Sequence, residues 1–169
     1  MERKTIQNIL NFLKEKEGKQ LPYMWVRNLT QGELIQELET HPDGTQYRYN
    51  DSLDLNETNI KKLPNKLYVS SYLDLGNCKQ LIKLPDNLYV GGELYLKGCT
   101  QLTKLPDNLY VGDSLNIKET SIEEIPNNLY IGWNLYITNT PLANKYTDEE
   151  IRDIVKLPMD DGTKGKIFR

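Results

Sequence analysis

The octapeptide Leu-Pro-Asp-Asn-Leu-Tyr-Val-Gly occupies positions 84–91 and returns unchanged at 105–112. A Leu-Pro or Ile-Pro pair recurs with its proline at Pro64, Pro85, Pro106 and Pro126, in steps of 21, 21 and 20 residues. No other feature restricts the fold as much. A period near 20 residues belongs to the shortest class of stacked solenoid repeat. One such unit cannot bury its own apolar face, so it needs neighbours on both sides.

Aligned on the proline, apolar residues fall into columns. One column pair is Leu-x-Leu or Leu-x-Ile: Leu53/Leu55, Leu73/Leu75, Leu94/Leu96, Leu115/Ile117 and Leu135/Ile137. Alternation with period two predicts a half-buried strand. A second pair lies six residues earlier: Leu67/Val69, Leu88/Val90, Leu109/Val111 and Leu129/Ile131, with Tyr47 and Tyr49 in the first unit. Between the pairs stand Ser70-Ser71, Gly91-Gly92, Gly112-Asp113 and Gly132-Trp133, where small residues predict a bend or a positive φ. A third column follows each Leu-x-Leu by three residues: Thr58, Cys78, Cys99, Thr120 and Thr140. The next apolar residue comes two positions after each Thr and three after each Cys, which accounts for most of the variation in period.

These columns resemble the leucine-rich repeat family, Leu-x-Leu-x-x-(Asn/Cys/Thr)-x-(x)-Leu-x-x-Leu-Pro, over about residues 47–142. The resemblance implies that the Thr/Cys column points inward and bonds to loop backbone. The short Leu-Pro units are similar to those of secreted bacterial effectors. The fuller Leu-Pro-Asp-Asn-Leu-Tyr-Val-Gly-Gly form resembles repeats in bacteriophage and mobile-element proteins. The chain departs from the family at the first leucine of the unit, where Asn50, Ser70, Gly91, Gly112 and Gly132 stand instead. With a second apolar strand just upstream, a flatter cross-section is expected, closer to a β-helix.

A solenoid must cover its open ends. Residues 5–17 place Ile6, Ile9, Leu10 and Leu13 on one helical face, and Gly18 stops it. Thr30-x-x-Glu33 is a capping box for a second helix, ended by His41-Pro42-Asp43-Gly44. Between them the stretch around Trp25 is unusually apolar for a linker: a further strand or a docking patch, with Trp25 in a core. Thr147-x-x-Glu150 opens a third helix through Ile151, Ile154 and Val155, and the tail from Pro158 reads as loose. The expected fold is therefore α+β. A leucine-rich-repeat β-solenoid of about five short repeats spans 47–142. A helical cap or recognition element spans 1–46, and a capping helix and tail span 143–169.

The 169 residues carry a net charge of −3 with 27% charged side chains. That balance does not suit a protein built to follow phosphates. No apolar run approaches the ~20 residues needed to span a bilayer, and the Glu- and Lys-bearing first segment does not read as a signal peptide. A cytoplasmic location is expected, with no membrane partner. Cys78, Cys99 and the single His41 cannot supply a four-ligand zinc site. The cysteines occupy equivalent inward positions one unit apart and read as a ladder of buried thiols, with a disulfide as the alternative. His41, in a turn before proline, reads as a solvated surface histidine. No Gly-Lys-Ser/Thr follows Gly91-Gly92, so a phosphate loop is not indicated. No catalytic residue, metal or cofactor is expected.

The outward strand positions are Asp54, Asp74, Tyr95, Asn116 and Tyr136, flanked by Ser52, Tyr72, Glu93, Ser114 and Asn134. An aromatic, polar and partly acidic surface suits a protein partner better than a nucleic acid. Tyr72, Tyr95, Tyr136 and Trp133 are the expected anchors, with Asp54, Asp74, Glu93 and Asn116 beside them. Trp133 has a competing place within the C-terminal cap. Tyr68, Tyr89, Tyr110 and Tyr130 form another column, expected to stack on itself. The expected activity is non-enzymatic docking on another protein; the phage resemblance implies inhibition of a bacterial host protein such as a defence enzyme. The rival readings are a structural protein acting as a homodimer or larger assembly, and a ligand-binding or hydrolytic site at Asp54 and Asp74.

Overall fold

The computed structural model describes residues 30–40, 47–158 and 165–169. The helix expected at 5–17, the apolar linker around Trp25 and the His41-Pro42 turn lie outside the described residues.

Both apolar pairs of each unit become strands. The upstream pair forms β1 (Tyr47–Tyr49), β3 (Leu67–Val69), β5 (Tyr89–Val90), β7 (Tyr110–Val111) and β9 (Tyr130–Ile131). The Leu-x-Leu pair forms β2 (Leu53–Asp54), β4 (Leu73–Asp74), β6 (Leu94–Tyr95), β8 (Leu115–Asn116) and β10 (Leu135–Tyr136). Equivalent strands of successive units pair in parallel. Sheet 1 has the order β1-β3-β5-β7-β9, and sheet 2 runs β2-β4-β6-β8-β10 with a sixth strand, β11 (Ile167–Phe168), beside β10. The molecule is a β-solenoid in which each unit is one coil. The period-two alternation works as expected: Leu73, Leu75, Leu94, Leu96, Val69 and Val90 are all fully buried between the sheets.

The coils are stitched by backbone bonds repeated at the same place in each unit. Leu53 N–H donates to Tyr72 C=O, Leu73 to Glu93, Leu94 to Ser114 and Leu115 to Asn134, all at 2.9–3.0 Å. Register follows, with Leu53, Leu73, Leu94, Leu115 and Leu135 as successive partners. A slip by one residue would turn every leucine of a strand outward.

The small-residue pairs at 70–71, 91–92, 112–113 and 132–133 sit at bends, as expected, but not at positive φ. Left-handed backbone is found at Glu57, Asn77, Gly98, Glu119 and Asn139 after sheet 2, and at Lys66, Asn87, Asn108 and Asn128 before sheet 1. Asn tolerates this conformation better than most residues, so the recurring asparagines are its sequence signal. Gly91, Gly112 and Gly132 are not left-handed; they are needed for space. A Cβ on Gly112 would lie 2.2 Å from the carbonyl oxygen of Gly91, and one on Gly132 would lie 2.1 Å from that of Gly112. From Gly91 onward the coils approach too closely at this corner for a Cβ, whereas Ser70 holds the place one coil earlier.

The Thr/Cys column is an interior ladder. Each thiol donates to a carbonyl of the preceding coil, Cys78 to Leu55 and Cys99 to Leu75, both at 3.0 Å. The threonines Thr120 and Thr140 instead reach back within their own coil to Ile117 and Ile137, at 2.8 and 2.7 Å. Both cysteines are free thiols. Burial pushes the Cys99 thiol up to about 12, with the Cys78 sulfur adding to it, and burial raises Cys78 as well.

The ends are closed by local structure. Before the first coil, α1 (Gln31–Thr40) starts at the expected capping box, with Glu33 N–H donating to Thr30 Oγ1 and Thr30 N–H to Glu33 Oε2. It buries Leu38 against the core, and Glu39 accepts the Lys61 N–H at 2.7 Å. After the last coil come two helices rather than one, α2 (Pro141–Lys145), capped by Thr140, and α3 (Asp148–Ile154), opened by the Thr147–Glu150 capping box. The tail read as loose is corrected at residues 165–169. Its backbone pairs with β10, Lys166 N–H donates to Asn134 Oδ1 at 2.9 Å, and Arg169 binds Asp148 and the Ala143 and Tyr146 carbonyls. A two-residue strand is too short to show any period, but an open strand edge has unpaired backbone to offer. Lys156 covers the edge of sheet 1 in the same way, exchanging bonds with Leu129 and Ile131.

Gly112→Ala is expected to lower stability by about 1–3 kcal/mol through overpacking against backbone that cannot yield. Gly32→Ala in α1, where an added Cβ meets nothing within 4 Å, is the control and leaves the melting temperature unchanged or higher. Thermal melts of the two variants check this. A second expectation concerns the thiols. At about pH 8 neither reacts with a thiol reagent in the folded protein, and both react once denaturant opens it. Because the folded Cys99 holds its proton more tightly than the unfolded one, its contribution to stability is complete below the ordinary thiol pKa. It is lost as pH rises from there through about 12. Denaturation midpoints measured across this alkaline window test the sign.

Candidate functional site

A parallel solenoid converts each outward sequence position into a row of side chains about 4.8 Å apart. Two such rows are prominent, and they differ in chemistry.

On sheet 1 the row is Tyr68, Tyr89, Tyr110 and Tyr130. Their rings stack with centroids 4.5, 4.6 and 4.7 Å apart and planes within 4° of parallel. The Arg48 guanidinium lies 3.8 Å from the Tyr68 centroid and closes that end. Lys156 stands in register with Tyr130 at the other. Each inner ring gives both faces to its neighbours, so edges and hydroxyls are what remain for solvent. This is the self-stacking column the sequence suggests, and its aromatic surface is spent on stability.

On sheet 2 the sequence-predicted residues come together in one row. Asp54, Asp74, Tyr95, Asn116 and Tyr136 are successive register partners across β2, β4, β6, β8 and β10. Phe168 of β11 adds a sixth rung, its ring stacked on Tyr136 at 4.5 Å with planes 7° apart. Sequence reading missed Phe168 because nothing in the tail marks it as a strand. Lys118 Nζ sits 5.0 Å from the Tyr136 ring centroid, and Lys97 pairs with Glu119 at 3.5 Å beside the row.

Three of the polar members are partly committed to their own turns. Asp54 Oδ1 accepts the Asn56 N–H at 3.0 Å, Asp74 Oδ1 accepts the Gly76 N–H at 2.8 Å, and Asn116 Oδ1 accepts the Lys118 N–H at 3.2 Å. Each side chain ends its strand by bonding the backbone two residues on. The sheet's polar row thus has a structural duty before any functional one. Among the described residues no three His, Cys, Asp or Glu side chains form a metal-ligating group. Tyr95 is half-buried, and its hydroxyl is pushed above its usual pKa, first by burial and then by Glu93 and Asp74.

The flanking column divides along the solenoid. Tyr72 is 40% exposed, and Glu93 is half-buried beside it. Ser114 and Asn134, expected outward with them, are buried instead. Asn134 holds the returning tail through Lys166, whereas Ser114 Oγ accepts the Asn134 N–H at 3.4 Å and donates to Asp113 Oδ1 at 3.2 Å, bonds within and between coils that hold it in. Trp133 lies at the corner before β10 and is 43% exposed, outside the buried core. Its backbone bonds Asp113 on one side and Gly165 of the tail on the other. Among the described residues no helix is long and apolar enough to cross a membrane.

No protein family, curated protein or solved structure matches this chain.

The stacked tyrosines give a test of how the two rows divide their duties. Tyr89→Ala removes two ring contacts and is expected to cost about 1–3 kcal/mol, each stacked pair contributing about 0.5–1.5 beyond area. Tyr89→Phe keeps both contacts and is expected to stay within about 0.5 kcal/mol of the parent. Chemical denaturation of both variants measures the difference.

Proposed function

We propose that the chain works by docking its sheet 2 face onto another protein. The observation that carries this reading is the alignment of Asp54, Asp74, Tyr95, Asn116, Tyr136 and Phe168 in one register-locked row, with Tyr72 exposed along its flank and Trp133 at its corner. A row whose backbone is already fixed loses little freedom on binding, saving part of the roughly 0.5–1.5 kcal/mol that each mobile side chain would cost. Exposed Tyr and Trp are the residue types that most often anchor protein interfaces.

Area sets a condition on the contact. Six rungs at about 4.8 Å span roughly 24 Å, and four residues across the strand span roughly 13 Å. The resulting patch, roughly 300 Å², is well short of the ~800 Å² that each partner buries in a standard interface. The docking surface therefore extends past the row to the Tyr72–Trp133 corner and onto the end of the solenoid beside Phe168. The sharper form, inhibition of a bacterial host protein such as a defence enzyme, draws on the resemblance of the repeat to bacteriophage sequences and on nothing in the geometry.

The experiment is a pull-down from bacterial lysate with the tagged chain. A stoichiometric heteropartner is expected, with affinity reduced roughly 30-fold by Tyr72→Ala combined with Trp133→Ala, the size of an anchor contributing about 2 kcal/mol. Arg48→Ala, on the sheet 1 side, is expected to leave the capture unchanged. Self-association in light scattering with no heteropartner would instead make the face an assembly contact and overturn the proposal.

A further inference from the structure

The loop segments that join sheet 2 to sheet 1 carry a third row, one that neither strand face uses. Each unit places a residue two positions before its proline: Lys62, Lys83, Lys104 and Glu124. Each lies seven positions before one of the strand residues Val69, Val90, Val111 and Ile131, which are direct register partners. With no insertion between, the four positions stack one above the next, and Lys104 pairs in register with Glu124. All four are exposed. Three ammonium groups thus rise from adjacent coils whose backbones lie about 4.8 Å apart.

Like charges on neighbouring rungs repel, and an opposite charge on the next rung would be the simplest relief. Glu124 is that charge, but its carboxylate is held by Lys145 from α2 at 3.3 Å. Among the described residues no ion pair engages Lys62, Lys83 or Lys104; the pairs found there join Lys97 to Glu119, Lys145 to Glu124 and Arg169 to Asp148. The solenoid therefore presents a short ridge of positive charge with its counter-charge drawn away, on a chain whose net charge is −3.

We propose that this ridge holds a short acidic segment of a partner protein. Its dimensions favour a peptide over a nucleic acid. Three rungs span only about 10 Å. The ridge is one lysine wide and is bordered by the exposed carboxylates of Asp86 and Asp107 on the same coils. A duplex, with phosphates spread across a broad face, would meet those carboxylates. An extended strand with Asp or Glu on one face presents a carboxylate about every 6.6–6.8 Å, a mismatch that flexible lysine stems absorb. Exposed ion pairs are individually weak, so the contact is salt-sensitive and acts more on capture rate and orientation than on final affinity. The ridge lies on the loop side of the coil and stands independently of the strand-face reading.

The test uses fluorescence anisotropy of a labelled (Glu-Ser)4 peptide with the full chain, at about 20 mM and about 200 mM salt. Binding is expected at low salt and is lost at the higher salt. Lys83→Glu combined with Lys104→Glu is expected to weaken binding roughly tenfold, whereas Lys97→Glu combined with Lys118→Glu, an equal change of net charge elsewhere, leaves it within about twofold. Circular dichroism melts confirm that each variant is folded. No binding by the parent, or equal loss in both double variants, overturns the proposal. Tighter capture of a labelled (dT)12 through the same lysines would overturn the choice of an acidic peptide.

Discussion

The whole structure depends on parallel, in-register stacking of coils at the spacing of backbone hydrogen bonds. The bond from Leu94 to Ser114 and its equivalents above and below fix that spacing. Once it is fixed, the interior has room only for columns of matched side chains. Leucine sits on leucine along Leu53, Leu73, Leu94, Leu115 and Leu135, and valine on valine along Val69, Val90 and Val111. The same spacing excludes a side chain at Gly112 and sets a thiol of one coil against a carbonyl of the previous one at Cys78 and Cys99. Stability in such a fold is a sum of neighbour contacts, so each coil is only as secure as the coils beside it.

Stacking also carries repetition to the surface, where its consequence depends on the side chain. Repeated tyrosine covers its own faces and becomes structure, as in the ladder from Tyr68 to Tyr130. Repeated lysine cannot satisfy itself and leaves a field, as along Lys62, Lys83 and Lys104. The sheet 2 row does not repeat one residue along its length: two aspartates, then tyrosine, asparagine, tyrosine and phenylalanine, with only the last two stacked. Variation at one outward position, set among positions that hardly vary, is where a solenoid of this kind has freedom to acquire a specific surface.

The closing of the ends limits how that surface can be used. Strand edges invite further strands. Here the tail covers sheet 2 with β11, Lys156 just after α3 covers sheet 1, and Arg169 ties the last residue to α2 and α3. At the opposite edge Asp51 and Asp54 satisfy the backbone N–H groups of Ser52 and Asn56, which removes donors that another strand would seek.

Much of this was legible in the residues themselves. Both strand columns, the inward Thr/Cys column, the capping boxes at Thr30 and Thr147 and the outward row from Asp54 to Tyr136 follow from spacing, because period and local hydrogen bonding are properties of a short stretch of chain. Other features waited for the tertiary structure. Phe168 joins the row only because β10 offers an open edge 32 residues earlier in the chain, at Leu135 and Tyr136. Asn134 is interior beside that same tail, whose Lys166 N–H it binds. Gly112 is glycine for the sake of a carbonyl in another coil, not for its own φ. Glu124, next in register to Lys104, is paired elsewhere because α2 brings Lys145 to it. Repeat, register and interior can be read from the residues, since these need only a neighbour of the same kind. What lies at the ends and corners was decided by the folded chain alone, because there each residue meets a partner unlike itself and distant in sequence.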